Sequence, residues 1–167
     1  MKKIDVLDFD GTLYEKDSSK EFFKYCLKKN KKMILNIPKI IIYFILNSLD
    51  LIPIEKLKEC FFEFLKRTND IDKYIEDFWK NNKKHIRTNL LKKCKNEVVI
   101  ISASPKFLLE PICKELSINY LIATDIDKNT GKFKSLNCKG KEKINRLNKE
   151  IKEYEIHDFY SDSYSDE

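Results

Sequence analysis

Glycine and proline are scarce here, three and four residues respectively in a chain of 167. That scarcity argues against a loop-rich or all-β fold, which places both residues in its many turns. The five cysteines (26, 60, 94, 113 and 138) are odd in number, and no pair has metal-ligand spacing, so reduced thiols and a cytoplasmic setting are expected. No signal-peptide pattern opens the chain, because its first residues enter an apolar strand-like run at once. The most membrane-like stretch, 33–54, is interrupted by Pro38, Lys39 and Asp50. Its longest uncharged run falls short of the ~20 residues of a membrane span. A buried or interfacial helix is expected there, with peripheral contact with lipid left open. No nucleic-acid motif accompanies the lysine clusters at 28–32 and 80–84, which read as solvated helix ends, and nucleic acid is not an expected partner. There are no repeats, and the one biased segment is the acidic, Ser/Tyr-rich end.

What is present suffices for a core. Hydrophobic residues make up 42%, and the length suits one domain or a compact domain with a sizeable insertion. A formal charge of +6 is compatible with anionic substrates without requiring them.

The most informative segment lies at the start. Ile4, Val6, Leu7 and Phe9 form a short apolar run that stops abruptly at Asp8-Phe9-Asp10-Gly11-Thr12. Such a run suits a buried strand, and Gly11 permits a sharp exit from it. Strand alternation directs Asp8 and Asp10 to the same side at the mouth of the sheet. Two carboxylates that close repel each other and resist desolvation, and a divalent cation is the obvious group to offset this.

Beyond it, about eighty residues read as helical. Ser18 or Ser19 caps a helix running to Leu27, with Phe22, Phe23 and Cys26 on one face. Residues 34–49 form the most apolar helix. Residues 55–65 carry a stripe of Leu57, Cys60, Phe61, Phe64 and Leu65, and 71–91 supply further helical segments with Phe78 and Trp79. These stripes need mutual burial, so 15–94 is expected to be a small helical bundle inserted between 1–14 and 95–167.

The period then changes to strands alternating with helices. Strands are expected at 97–101, 120–123 and 156–160, and a hairpin at 126–133 around Lys128-Asn129-Thr130-Gly131. A helix begins with Pro105 in its first turn, and another spans 142–151 with Ile144, Leu147 and Ile151 as its apolar face. The expected fold class is α/β, a Rossmann-like three-layer α/β/α parallel sheet with right-handed crossovers. Three further elements fall at strand or helix ends. Ser102 ends the second strand, and its hydroxyl with the next backbone N–H groups can hold a phosphate. Lys141 and Lys143 open a helix, where a cation does not help the helix itself. Asp162 and Asp166 follow the last strand with the spacing of half a hard-cation site.

In this order, Asp-x-Asp-Gly-Thr, strand-Ser, helix-Lys and strand-Asp-x-x-x-Asp, the chain resembles the haloacid dehalogenase (HAD) superfamily. Ile100-Ile101-Ser102-Ala103-Ser104-Pro105 and Asn137-Cys138-Lys139-Gly140-Lys141-Glu142-Lys143 are similar to the branch containing phosphoserine phosphatase. The resemblance implies a phosphomonoesterase. Asp8 would be the nucleophile that forms an aspartyl-phosphate, and Asp10 the acid/base that protonates the leaving alcohol and then activates water. Gly11, Thr12, Ser102, Ala103 and either Lys143 or Lys141 would bind phosphate; Lys143 is preferred for the apolar spacing that follows it. Asp8, the Asp10 carbonyl and Asp162 would hold Mg²⁺, with Asp166 assisting. Asp17 stands where the branch has a substrate-binding Glu.

The implied partner is a small phosphate monoester, either phosphoserine or one with a hydrophobic tail facing helix 34–49. The chain itself is expected to be a monomer or homodimer. Departures from the branch are Gly11 in place of Ser, and Ala103-Ser104 in place of Gly-Gly after the motif serine. The family usually continues beyond the fourth motif, so an exposed edge at the fourth strand is expected. Other readings are a phosphomutase or phosphonatase on the same core, or a phosphate-binding module without turnover.

Overall fold

Strand β1 (Lys2–Leu7) is a buried parallel strand: from Ile4 to Leu7 every residue on both of its faces is covered, Asp5 included. The computed structural model describes residues 1–162. Among these, β1 lies inside a parallel sheet of order β3-β2-β1-β4. β2 is Glu97–Pro105, β3 Tyr120–Thr124 and β4 Tyr154–Tyr160. Leu7 aligns with Ile100 of β2 and Tyr160 of β4, and a register shift between Ile4 and Asp5 sets β1 against β4 with one extra residue, His157. β3 and β4 are the two edges of the described sheet, and Ile156 and Phe159 are partly exposed on β4.

Helices cover both faces, giving three layers. On one face Ile4, Val6, Val99, Ile101 and Ile122 pack under Leu147 and Ile151 of the segment that contains α7 (Lys141–Glu150). The expected apolar face of that helix shifts by one residue. Ile144 is exposed, and Lys143, Leu147 and Ile151, at four-residue spacing, are the buried positions. The opposite face carries Leu7, Ile100 and Ala123. These pack with Leu108, Leu109 and Ile112 of α6 (Lys106–Glu115) and merge with the helices inserted after β1. Pro105 ends β2 and precedes α6, rather than occupying its first turn.

The insertion comprises α1 (Ser18–Lys29), α2 (Ile37–Ser48), α3 (Ile54–Phe62), α4 (Ile71–Asn82) and α5 (Thr88–Leu91). Phe9, Tyr14, Phe22, Phe64, Phe78 and Trp79 form a continuous aromatic core running from the sheet into α1 and α4. Trp79 Nε1 donates to the Leu108 carbonyl at 2.7 Å, tying α4 to α6.

Three local expectations are corrected. The N-cap of α1 is Asp17, which accepts from Lys20 N at 2.9 Å, because the Ser18 and Ser19 hydroxyls are turned to Ser104 instead. The helix expected over 34–49 begins as a 3-10 turn over Lys31–Asn36, and α2 starts at Ile37 with Pro38 in its first turn. No residue of α2 is buried, so it stands outside the mutual burial expected of the bundle. α3 stops at Phe62 and tightens into a 3-10 turn, Glu63–Arg67. The change of period buries Phe62 beside Cys60, Phe64 and Leu65 and leaves Leu57 and Phe61 half-buried.

The expected hairpin is present, with Asp127 N donating to Lys132 O at 2.8 Å and Ile126 bridging Phe133. Its tip leans on the insertion. Phe133 N donates to Glu59 at 3.1 Å and Lys128 pairs with Asp72 at 2.6 Å. Gly131 (φ +74°) passes so close that a Cβ would stand 2.5 Å from the Phe62 carbonyl oxygen. No helix among the described residues is long and apolar enough to cross a membrane.

Candidate active site

The β1 ladder ends at Leu7, and a tight loop takes over at the carboxyl ends of the strands, where open α/β sheets bind ligands. Asp8 N donates to the Tyr160 carbonyl at 2.9 Å, Tyr14 N to the Phe9 carbonyl at 2.8 Å, and Gly11 adopts φ +77°. Arg87 clamps the loop from outside, donating to the carbonyls of Gly11 at 2.6 Å and Thr12 at 2.9 Å.

The two acids of the loop engage different partners. Asp8 is largely enclosed, and its Oδ1 lies 3.2 Å from Lys143 Nζ, itself almost buried. Asp10 faces α1 and the end of β2. It accepts from Ser18 N at 2.7 Å and from the Ser104 hydroxyl through a short contact. Burial pushes its carboxyl up to about 6, against the lowering effect of those two serines. One acid is thus paired with a lysine, and the other is buried against serine donors with its pKa raised.

Ser102 is buried, and its hydroxyl accepts from Ser104 N at 3.1 Å, which leaves its proton to donate. The Ala103 carbonyl takes hydrogen bonds from Thr124 at 3.0 Å and Lys58 at 3.2 Å. Lys141 is exposed at the start of α7, whereas Lys143 reaches Asp8. Thr12 Oγ1 is buried and without a hydrogen-bond partner among the described residues. Asp17 caps α1 and pairs with Lys20 at 3.0 Å, while its side also lines the cavity described next. Asp166 lies outside the described residues.

Asp10 and Ser104 open on a cavity of about 510 Å³ between α1, α2 and α3 and the end of β2. Ile40, Phe44, Leu57, Phe61 and Phe62 make its wall largely apolar. Lys20 and Lys58 both line it, Lys58 being the more deeply set. Lys58 hydrogen-bonds Asn137 Oδ1 at 2.9 Å, and burial lowers its pKa.

Hard oxygen donors for a divalent cation are present in the loop. Gly11 is the informative position. A Cβ there would stand 2.0 Å from Asp162 Oδ2, so only glycine lets the Asp162 carboxylate settle on the Asp8–Thr12 loop. The Asp162 carboxylate therefore lies against the loop that carries Asp8 and Asp10, and carboxylate and carbonyl oxygens are the donor type a divalent cation takes. Among the described residues, the one convergence of three ligand-type side chains is elsewhere, at Asp5, His157 and Asp158 beside the entry to β2.

Ser104, Lys58 and Arg87 were not legible as site residues. Ser104 stands two residues beyond Ser102, and strand alternation carried past Ile101 would have paired them. Lys58 and Arg87 reach the site through tertiary packing alone, with no local signal among so many basic residues.

A family model described as haloacid dehalogenase-like hydrolase matches residues 6–166. Among solved structures, the chain is similar to a protein of unknown function from Bordetella pertussis Tohama I, with 17% identity, 99% of this chain and 84% of that one covered, and a TM-score of 0.76. It is also similar to a phosphoserine phosphohydrolase-like protein from Francisella tularensis subsp. tularensis SCHU S4, at 20% identity, 99% and 80% coverage and a TM-score of 0.58. A HAD family hydrolase from Salmonella enterica subsp. enterica serovar Typhi shares the fold at 12% identity and a TM-score of 0.62, over 87% of this chain and 49% of that one. A comparison with curated proteins finds no match. A parallel sheet in the order β3-β2-β1-β4, acids at the carboxyl end of its first strand and a family match over nearly the whole length lead to one assignment: the chain belongs to the haloacid dehalogenase-like hydrolase family.

Proposed function

We propose that this chain is a phosphomonoesterase in which Asp8 attacks phosphorus and Asp10 moves the proton. The observation that carries the reading is the unlike treatment of two neighbouring acids, Asp8 held beside Lys143 and Asp10 raised to about 6 at the mouth of a cavity. Asp8 in its anionic form is the nucleophile, and its partner Lys143 is placed to neutralise phosphate oxygens. Asp10 in its protonated form donates to the leaving oxygen, then accepts a proton from the water that cleaves the aspartyl-phosphate. Ser102 donates to a further phosphate oxygen, with the N–H groups of Ala103 and Thr12 as further donors in this reading; that of Gly11 is already donated to the Lys16 carbonyl at 3.3 Å. A divalent cation, Mg²⁺ in this reading, would be held by Asp8, the Asp10 carbonyl and Asp162 with help from Asp166, and would supply charge neutralisation for the approach of one anion to another.

The helices of 15–94 act as a cap over a core formed by 1–14 and 95–167, and they choose the substrate. Asp17 is engaged as a helix cap, and the cavity wall beside Asp10 is apolar, so an ester with an apolar alcohol suits the site better than phosphoserine. Asp8→Asn is expected to lower hydrolysis of an aryl phosphate at least about a thousandfold while leaving the fold intact, checked by phosphate release and circular dichroism. Turnover equal to wild type in that variant would overturn the assignment.

A further inference from the structure

α2 is built unlike any other helix in the molecule. Its sequence is Ile37-Pro38-Lys39-Ile40-Ile41-Ile42-Tyr43-Phe44-Ile45-Leu46-Asn47-Ser48, and none of it is buried. Tyr43, Leu46 and Asn47 are half-buried along one side; the opposite side presents Ile41, Ile42, Phe44 and Ile45, each at least half exposed. Lys39, the one charged residue of the helix, is drawn off to Glu63 at 2.7 Å, so the outward face carries no charge at all. Ile34 and Leu35 before the helix and Leu49 and Leu51 after it extend the same exposed apolar surface at both ends. A contiguous patch of this kind marks an interaction site rather than ordinary surface.

The charges around the patch indicate what covers it. Lys28, Lys29, Lys31 and Lys32, all exposed, lead into α2 at its N-terminal end, while Asp50 and Glu55 lie beyond its C-terminal end. An apolar face flanked by a lysine cluster is the pattern of a helix that lies in a bilayer interface: the side chains enter the acyl boundary and the lysines meet anionic headgroups. A twelve-residue helix is too short to span the bilayer, which is consistent with a position in its plane. Phe44 belongs both to this exposed patch and, with Ile40, to the wall of the cavity that reaches Asp10, so a surface holding α2 also lies at the mouth of the site.

We infer that the outward face of α2, with the lysines of 28–32, docks the protein on an anionic lipid bilayer. The proposal concerns binding and stands whether or not the chain turns over a phosphate ester.

The test is co-sedimentation of the full chain with vesicles of phosphatidylcholine alone and of phosphatidylcholine with phosphatidylglycerol. Wild type is expected to partition at least about tenfold better into the anionic vesicles, with the difference lost at high salt. Ile42→Asp combined with Ile45→Asp is expected to abolish sedimentation with both, at an unchanged thermal midpoint, because both side chains are solvent-facing. Lys31→Glu combined with Lys32→Glu leaves the apolar face untouched and is expected to reduce binding to anionic vesicles alone. Wild type remaining in the supernatant with every vesicle, or the isoleucine variant binding as well as wild type, overturns the proposal. A dimer in sedimentation equilibrium that Ile42→Asp with Ile45→Asp dissociates also overturns it, assigning the face to a second copy of the chain.

Discussion

Strand β1 delivers an acid to each of two very different settings. Asp5 lies fully buried where β1 meets the entry to β2. It accepts from Lys95 N at 2.8 Å, from Asn96 N and from Asn96 Nδ2 at 3.0 Å each, and has His157 Nδ1 at 3.3 Å. Asp10 stands just past the other end, with one backbone N–H and one serine hydroxyl, and opens on a cavity. Burial raises the pKa of both. At Asp5 the Asn96 and Lys95 donors outweigh burial and hold the carboxyl below the usual carboxylate range; at Asp10 burial prevails and the group moves up to about 6. The number of fixed donors separates an acid that fastens two strands from one free to exchange a proton.

The comparison breaks most visibly at Asp5. Asp5→Ala leaves three part-buried donors of Lys95 and Asn96 without their acceptor, and a loss of about 3 kcal/mol is expected in urea denaturation. The pH dependence follows from the depressed folded-state pKa. Its stabilisation is complete above the unfolded value of about 4 and disappears as pH falls through the lower folded value. Wild type should therefore lose stability in acid more steeply than Asp5→Ala does.

Asp10 should behave in the opposite sense. Its folded pKa lies above the unfolded one, so its contribution is favourable below about pH 4 and is lost as pH rises through about 6. Asp10→Asn keeps the shape and removes the buried charge. In chelator at pH 8 that variant is expected to be more stable than wild type by about 2 kcal/mol, a figure reduced from the full shift because Asp10 keeps some exposure. The gap should shrink by about half at pH 5, and hydrolysis should be lost throughout. Equal stability of the two proteins at pH 8 would remove the contrast between the acids.

A third substitution tests whether the loop is shaped for Asp162. In Gly11→Ala the new methyl would occupy the place of the Asp162 carboxylate, and the backbone at φ +77° disfavours any side chain. A stability loss of about 1 kcal/mol is expected. The more diagnostic readout is thermal shift with Mg²⁺, which should stabilise wild type and leave Gly11→Ala unmoved.

How much of this was readable in the chain depends on whether the signal was local. The strands, α6, α7 and the hairpin follow from period and turn chemistry, and the fold class with them. Asp8, Asp10 and Asp162 are picked out as candidates because each follows an apolar strand; Ser102 is expected at a strand end too, but β2 continues through it to Pro105. Lys143 is preferred over Lys141 from the apolar spacing that follows it, yet the phase of α7 that sets Lys143 against Asp8 departs from that spacing at Ile144, which is exposed. The apolar content of α2 predicted burial or an interface equally well, since hydrophobicity alone does not say what covers a helix. Ser104, Lys58 and Arg87 depend on packing between distant segments, 45 positions apart for Lys58 and Ala103. Asp17 caps α1 and also lines the cavity, because a helix cap and a substrate ligand draw on the same residue types at the same kind of position.

The smallest expected effect concerns the layer directly beneath Asp10. Tyr14 is fully buried between Phe9 and Trp79, and its hydroxyl has no hydrogen-bond partner among the described residues. Burial, with the nearby carboxylates of Glu21, Asp10 and Asp17 adding to it, drives its pKa well upward, so the phenol stays neutral across the working range. A buried hydroxyl without a partner is a cost rather than a bond, in contrast to the fully satisfied carboxylate of Asp5. Tyr14→Phe keeps the ring contacts and removes the orphaned group, and a gain of about 0.5–1 kcal/mol is expected in urea denaturation. A loss of that size instead would mean that the hydroxyl is bonded in solution, and would place Tyr14 with Asp5 among the groups whose polar atoms hold the fold together.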